Sequence, residues 1–406
     1  MAVYKIFPTK DATIYSLFPN MNTGLDEMIE STLTTFAYST VNPQASRFLV
    51  AFDAATIENI IESTTYLGIS GSEQLLDTGS WTANLRCFVS TATGLDISPT
   101  GTLLEIYPVS GSWSMGTGKY LDDPISVDGT SWYWRDYSGS NAWTTNDSSY
   151  RPYSTGSYTG SSDNRNINGY AGGGTWFTGS TDFTRLNSDT YPLRATQSFS
   201  YSSDKDLNVD VSNVIRAWYT GAIPNEVFDG FIVKQIPEFT NNVNFQPELK
   251  YYSLDTNTIY PPQLEFKWND FTYNTSSAIS EISATPVTVT LEQNPGLFTL
   301  DSVNTFRVNS RPTYPPRVYQ TASLYTTNYY LPTASYYAVK DLDTDEFVID
   351  FDTTYTKISA DSTGNYFKLF MSGLEPERYY KILIKSTIGN STIVFDDNYY
   401  FKIING

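Results

Sequence analysis

Residues 206–234 read DLNVDVSNVIRAWYTGAIPNEVFDGFIVK, and two hydrophobic periods meet inside them. Leu207, Val209 and Val211 alternate with Asn208, Asp210 and Ser212, the period-2 pattern of a half-buried strand. The period then changes. Val211, Val214, Ile215 and Trp218 are spaced as one face of a short helix. Gly221 ends that helix and Pro224 prevents its resumption. Asp229-Gly230 is a turn dipeptide, and Phe231–Val233 reads as the next strand. The rest of the chain has almost no helical periodicity, so the reading is an all-β fold with a short helix inserted between strands.

Bulk composition agrees. The 406 residues leave room for two or three domains. Aromatic residues make up 16% of the chain, with 32 Tyr, against 17% charged residues, a mixture that suits Tyr-rich sheets. The chain has no histidine, which removes the commonest general base, the commonest metal ligand and every Ser-His or Cys-His nucleophile pair. Cys87 is the single cysteine, so no internal disulfide and no thiolate cage are expected. Within Leu85–Val89 it reads as a buried strand residue rather than a reactive thiol. The net charge of −18 is spread along the chain and is ill suited to phosphate backbones, so nucleic acid is not an expected partner. The N-terminus lacks the apolar run of a secretory signal, and no run approaches the roughly 18 residues of a membrane span. Synthesis in a cytoplasm, without membrane insertion, is the expectation.

Asp210, Val211, Val214, Trp218, Gly221, Asn225 and Gly230 also carry a resemblance. They resemble the signature of the DNRLRE family, non-catalytic β-sandwich domains related to carbohydrate-binding modules. In that signature a strand ending in DV leads into V..W..G...N.G and a final apolar strand. The loop between Asn225 and Gly230 is longer here. Other elements follow in the family's order. Asp11–Tyr15 opens the pattern, with a turn at Asn22-Thr23-Gly24. Arg47–Asp53 stands on the R.Y..FD strand, with Phe48, Val50 and Phe52 on one face, and Ile57–Ile61 on the short helical connection. Leu85–Val89, Leu104–Val109 with Trp113, Leu249–Ser253 and Pro262–Trp268 match later strands, although Pro261 stands where the family has arginine. The resemblance covers residues 2–269. It implies a jelly-roll-like sandwich over 1–269, in which Arg47, Asp53, Asp210, Trp218, Gly221 and Asn225 are structural signature positions.

Residues 114–190 depart from that pattern. They are rich in Ser, Gly, Thr, Asn and Tyr and read as a long insertion in a loop. Trp132, Trp134, Trp143, Tyr170 and Trp176 are the aromatics that pin it to something. Three readings stand side by side: a local mini-core, a protein interface, or a stacking platform for sugar rings.

Residues 270–406 read as further short strands. Val287–Leu291 and Thr305–Asn309 alternate cleanly, and Pro312, Pro315 and Pro316 mark a subdomain boundary or a stiff connection near 311–317. One or two immunoglobulin-like sandwich units are expected. Gly373–Tyr379 resembles the corner of fibronectin-type and immunoglobulin-like sandwiches, with Tyr379 the expected donor to the upstream backbone. The tail as a whole resembles C-terminal regions of structural proteins from contractile-tailed phages, particularly those of marine cyanobacteria. That resemblance implies a virion protein of the tail, neck, baseplate or fibre attachment, made in a bacterial cytoplasm. It would dock in several copies to other virion proteins through its aromatic loops.

Catalytic chemistry finds little support. Asp122, Asp123 and Asp136 could supply a glycosidase carboxylate pair, which needs separations of roughly 5–10 Å, but they read as solvated loop acids. Asp341, Asp343 and Asp345 open like a calcium loop, yet Glu346 and Asp352 occupy the positions that need Gly and Glu, so a hairpin turn is expected. Gly172–Gly174 lacks the Lys of a phosphate loop. No catalytic residue, cofactor or metal is expected. The alternative functions are a glycan-binding adhesin, using Trp134 or Trp176 on a host polysaccharide, and a hydrolase of that polysaccharide.

Overall fold

In a computed structural model of the chain, both halves of the 206–234 pattern take the form their periods require. Leu207–Asp210 is a strand with Leu207 and Val209 buried, and Ser212–Tyr219 is a helix that buries Val214, Ile215 and Trp218. Asp210 explains the abrupt change of period. Its carboxylate accepts the Ser212 N–H at 2.8 Å, and the Ser212 hydroxyl accepts the Ala83 N–H at 2.8 Å, fastening the helix start to the neighbouring strand Trp81–Cys87. The structure describes residues 2–34, 44–62, 81–96, 101–143, 152–154, 172–177, 180–182, 190–219, 228–236, 247–292, 296–315 and 327–405. Tyr170, Gly221 and Asn225 lie outside these.

The protein is an all-β sandwich protein and divides into two units. The first comprises Ile6–Ile61 and the described residues from 81 to 265. Its main sheet runs in the order Pro152–Ser154, Thr175–Phe177, Thr102–Ser110, Phe228–Ile236, Gln44–Ala51, Lys10–Tyr15, with Ala195–Phe199 also paired to Thr102–Ser110. Alternation sorts its side chains onto two faces. On one, Phe48 meets Tyr251 of the strand Glu248–Tyr252 with ring centroids 5.8 Å apart, and Phe52 meets Phe231 at 6.4 Å. On the other, Ala12, Ile14, Leu49, Ala51, Tyr107, Val109 and Ile232 pack against Trp113, Trp132, Trp143 and Trp176. A sheet covered on both faces needs near-continuous apolar strands, and Thr102–Ser110 is buried along almost its whole length. Cys87 lies fully buried at the end of Trp81–Cys87, as its position in an apolar run required, and burial pushes its thiol well above the usual range.

The second unit comprises Ala2–Lys5, Glu62 and the described residues from 266 to 405. The boundary thus falls after Glu265, inside the strand Gln263–Trp268, rather than after residue 269. The first strand also belongs here, because Val3 enters the core of this unit and the Lys5 ammonium donates to the Val348 carbonyl at 2.5 Å. One sheet orders Val287–Leu291, Val303–Pro312, Gly364–Phe370 and Ser359–Asp361. The other orders Leu297–Thr299, Ser391–Ile404, Tyr379–Ile388, Ser335–Asp341 and Phe347–Ile349. Phe306, Phe367 and Tyr337 stack between them, at 5.3 Å and 4.3 Å. Residues on both sides of 311–317 share that single core, from Val289 and Val308 to Ile382 and Ile403, so the unit is one sandwich and is not divided there. Pro312 closes the strand Val303–Pro312 opposite Val287.

The corner tyrosine is Tyr380, not Tyr379. Its hydroxyl donates to the Glu375 carbonyl at 3.1 Å, and its ring lies in the core beside Phe401. Strand parity decides this: Tyr380, Ile382 and Ile384 face the core, which turns Tyr379 outward.

Candidate functional site

Three tryptophans of the insertion are interior. Trp132, Trp143 and Trp176 are 3%, 3% and 1% exposed, so they form no interaction surface. Their partner is Arg47, which is fully buried. Its guanidinium sits 4.9 Å from the Trp132 ring and 5.2 Å from the Trp176 ring, and its Nη1 donates to the Gly173 carbonyl at 2.5 Å. The Gly173 N–H in turn donates to the Trp132 carbonyl at 2.6 Å. Gly172 has φ +138°, and a Cβ there would meet that same carbonyl at 2.4 Å, so the glycine run lets the loop press onto the indole. Arg47 and the insertion's Trp132 and Trp176 are therefore one structure, a cation clamped between indoles on the sheet face.

Neighbouring charges on that face are likewise consumed internally. Glu105 lies 3.5 Å from Lys234 and 3.0 Å from Arg194, and accepts the Tyr107 hydroxyl at 2.8 Å. Burial, with Glu105 alongside, pushes the Tyr107 hydroxyl far above its usual range. Asn22 shows why the front of the insertion is fixed. This buried amide donates to the carbonyls of Met115 and Thr130, at 2.6 and 2.8 Å, and accepts the N–H groups of Gly24 and Gly118, at 3.1 and 2.8 Å. Nothing in the spacing of the sequence pointed to this hub beyond the Asn-Thr-Gly turn.

The remaining sequence-derived positions have local roles. Trp134 is half-buried, bonded through Nε1 to Asn20 at 3.1 Å and edge-on to Tyr137 at 5.5 Å. Asp53 caps the helix Ala54–Glu62, accepting the Thr56 N–H at 2.9 Å. Trp218 packs inside the first unit. Asp122 accepts the Lys119 N–H at 2.7 Å and Asp136 takes the Asn141 amide at 3.3 Å, both turn contacts. Asp341 accepts the N–H groups of Asp343 and Thr344, each at 3.0 Å, and both its oxygens take Arg378, each at 2.7 Å. Burial raises that carboxyl, but the Arg378 and Thr344 bonds hold it below the usual range. Its acidic run is the turn between Ser335–Asp341 and Phe347–Ile349.

In the second unit a group of exposed aromatics lies on the face of the Tyr379–Ile388 sheet turned away from its core. Tyr379, Tyr400, Phe347 and Val394 are 49%, 39%, 44% and 51% exposed. The register alternates them with lysines: Phe347 pairs with Lys340, Lys340 with Lys381, Lys381 with Tyr400, and Tyr379 with Lys402. Each ammonium lies over a ring, Lys340 at 4.7 Å from Phe347, Lys381 at 5.6 Å from Tyr400 and Lys402 at 5.7 Å from Tyr379. Lys385 continues the series over Phe351 at 4.4 Å and Tyr336 at 5.5 Å. Asp345, Asp396 and Glu377 pair with Lys340, Lys381 and Lys402 respectively. Sequence inspection missed this face, although the alternation Tyr379, Lys381, Lys385 was its signal.

No family model matches the chain, and no curated protein matches it. Among solved structures, a DUF4785 family protein from Legionella pneumophila subsp. pneumophila str. Philadelphia 1 is similar at 8% identity and a TM-score of 0.16, over 82% of this chain and 58% of that one. This chain spans little more than half of that protein's length.

Proposed function

We propose that the chain is a non-enzymatic structural protein of a tailed-phage virion, docking in several copies to neighbouring tail, neck, baseplate or fibre-attachment proteins. The observation that carries the docking reading is the aromatic and lysine face of the second unit. Protein interfaces concentrate exposed aromatic area, and a patch of this kind on a rigid sheet is costly to leave in water. Lys340, Lys381 and Lys402 already hold acidic partners, so a neighbour can cover the rings beside them without stranding those charges. A non-enzymatic role is supported by the lack of histidine and by the turn duties of Asp122, Asp136 and Asp341. The particle setting rests on the resemblance of the tail to contractile-tailed phage proteins.

The test is imaging of particles from lysed producing cells with a gold-labelled antibody against the chain. Label at a fixed site on the tail, neck or baseplate is expected. Particles that carry no label overturn the virion reading.

A further inference from the structure

The outer strand of a sheet turns a row of backbone N–H and C=O groups outward, where another strand can pair with them. Several such edges in this protein are blocked. On Lys10–Tyr15 the Thr23 hydroxyl accepts the Thr13 N–H at 3.1 Å and donates to the Thr13 carbonyl at 2.7 Å. Beside Leu207–Asp210 the Gln197 amide accepts the Asn208 N–H and donates to the Asp206 carbonyl, each at 2.8 Å. On Phe347–Ile349 the Val348 carbonyl takes the Lys5 ammonium. Ser391–Ile404 carries Asp396 and Asp397 and a break in register opposite Ile382–Ile384.

Val287–Leu291 has none of these devices. It is the end strand of its sheet and pairs without a bulge, from Val287 opposite Pro312 to Leu291 opposite Val308. The Thr313 N–H donates to the Pro286 carbonyl at 2.9 Å and the Glu292 N–H to the Arg307 carbonyl at 2.8 Å, so the even-numbered residues bond inward. The backbone groups of Val287, Val289 and Leu291 therefore point outward, and among the described residues no hydrogen bond reaches them. Their side chains pack on the core of the unit, which holds the strand in place while its edge stays open. The strand VTVTL contains no charge and no proline.

That strand also complements itself. Antiparallel pairing of two copies about a two-fold axis at Val289 sets Val289 against its own counterpart, Val287 against Leu291 and Thr288 against Thr290. Each outward-pointing residue then exchanges a pair of backbone hydrogen bonds with its opposite. Threonine pairs and β-branched apolar pairs are favourable cross-strand neighbours. Glu292 falls opposite Pro286, so no carboxylate meets another. This decides the occupant, because copies of a chain with net charge −18 repel wherever acids face one another. We propose that a second copy of this chain pairs along Val287–Leu291, joining the two four-stranded sheets into one continuous sheet across a two-fold axis. The edge shares no residue with the aromatic and lysine face, so the pairing goes beyond the virion reading and stands or falls apart from it.

The test is sedimentation velocity of the full chain at low salt, up to about 500 µM. A contact of one short strand a side is small, so a reversible dimer with a Kd on the order of 100 µM is expected. Hydrogen exchange over residues 286–292 should slow as the dimer forms. Two variants read the register. Thr288→Glu with Thr290→Glu sets like charges opposite each other at both ends of the contact and should raise Kd by about tenfold or more. Thr288→Glu with Thr290→Lys sets opposite charges there and should return Kd to within about threefold of the parent's. Both variants lose the same 3.1 Å contact between the Thr288 and Thr313 hydroxyls, so the comparison isolates position 290, and their melting temperatures in dilute solution should agree. A parent chain that stays monomeric throughout overturns the proposal. So does a dimer whose exchange over 286–292 matches the monomer's, a dimer that the first variant leaves intact, or a second variant as weak as the first.

Discussion

Asp11 sets the pH response of the first unit at the level of a single carboxyl. It lies on the strand Lys10–Tyr15 at 1% exposure, and accepts the Leu254 N–H at 2.6 Å. Burial drives its pKa up to about 7 from 3.8; the Leu254 bond opposes this, and Asp255 and Asp26 add repulsion. The folded protein therefore holds a proton there that the unfolded chain has released. This contribution is present in full below pH 3.8 and is lost as pH rises through about 7. Its full size is on the order of 4 kcal/mol. Asp11→Asn keeps an acceptor for Leu254 and removes the titration, so its melting temperature should fall less than the parent's between pH 5 and 8. Equal slopes in thermal unfolding across that range would refute the assignment. Asp26 and Asp255 are also raised by burial, so the variant should flatten the slope without abolishing it. Arg47 makes the complementary case. Arg47→Ala removes a buried cation from between two indoles and leaves a void, and should cost roughly 3 kcal/mol or more in denaturant unfolding, with altered Trp fluorescence. Arg47→Lys should recover little, because an ammonium cannot stack as a planar guanidinium does.

Elements were legible where one period held over several residues and a residue of special chemistry ended it. The strand–helix change at Asp210 and Ser212 meets both conditions, and its carboxylate is the cap that makes the change abrupt. The insertion meets neither. Its strands Thr175–Phe177 and Trp134–Asp136 are too short to show alternation, so their tryptophans could be identified as anchors but not assigned to a face. The contact that decides their place, Arg47 against Trp132 and Trp176, joins residues far apart in sequence. The tyrosine corner was misread for a smaller reason, since Tyr379 and Tyr380 are adjacent and only the downstream Ile382 and Ile384 reveal which one points inward. That parity has a measurable consequence. Tyr380→Phe leaves the Glu375 carbonyl without its donor and should cost about 1 kcal/mol in the denaturant midpoint, whereas Tyr379→Phe should cost nothing measurable. A larger loss from Tyr379→Phe would return the corner to that residue.

For the whole molecule, two all-β units were legible because strand patterns without helical runs allow little else. The boundary was not, because it lies within a strand, Gln263–Trp268, and the hydrophobic pattern runs on through it. The prolines near 311–317 suggested a division that the shared core of Val308 and Ile382 denies: a chain can turn at a proline and still return to the same sandwich. The larger displacement concerns exposure, since Trp132, Trp143 and Trp176 of the insertion are buried and an aromatic and lysine face stands exposed on the second unit. The backbone of that face is held by the long ladder between Tyr379–Ile388 and Ser391–Ile404, so its side chains can be changed without touching the core. The double variant Tyr379→Ala with Tyr400→Ala should keep the parent's melting temperature within the small range expected of surface positions. If the face docks, the same variant should be depleted from assembled particles, read as the ratio of particle-bound to free chain in sedimented lysate. Aromatic anchors at interface centres are commonly worth 2 kcal/mol or more, so loss of a pair should lower that ratio by about tenfold or more. Association through paired lysines should also change little with added salt, because counter-charges already sit beside them, whereas binding to a polyanion would weaken steeply. An unchanged particle-bound ratio in the double variant would remove this face from the docking role.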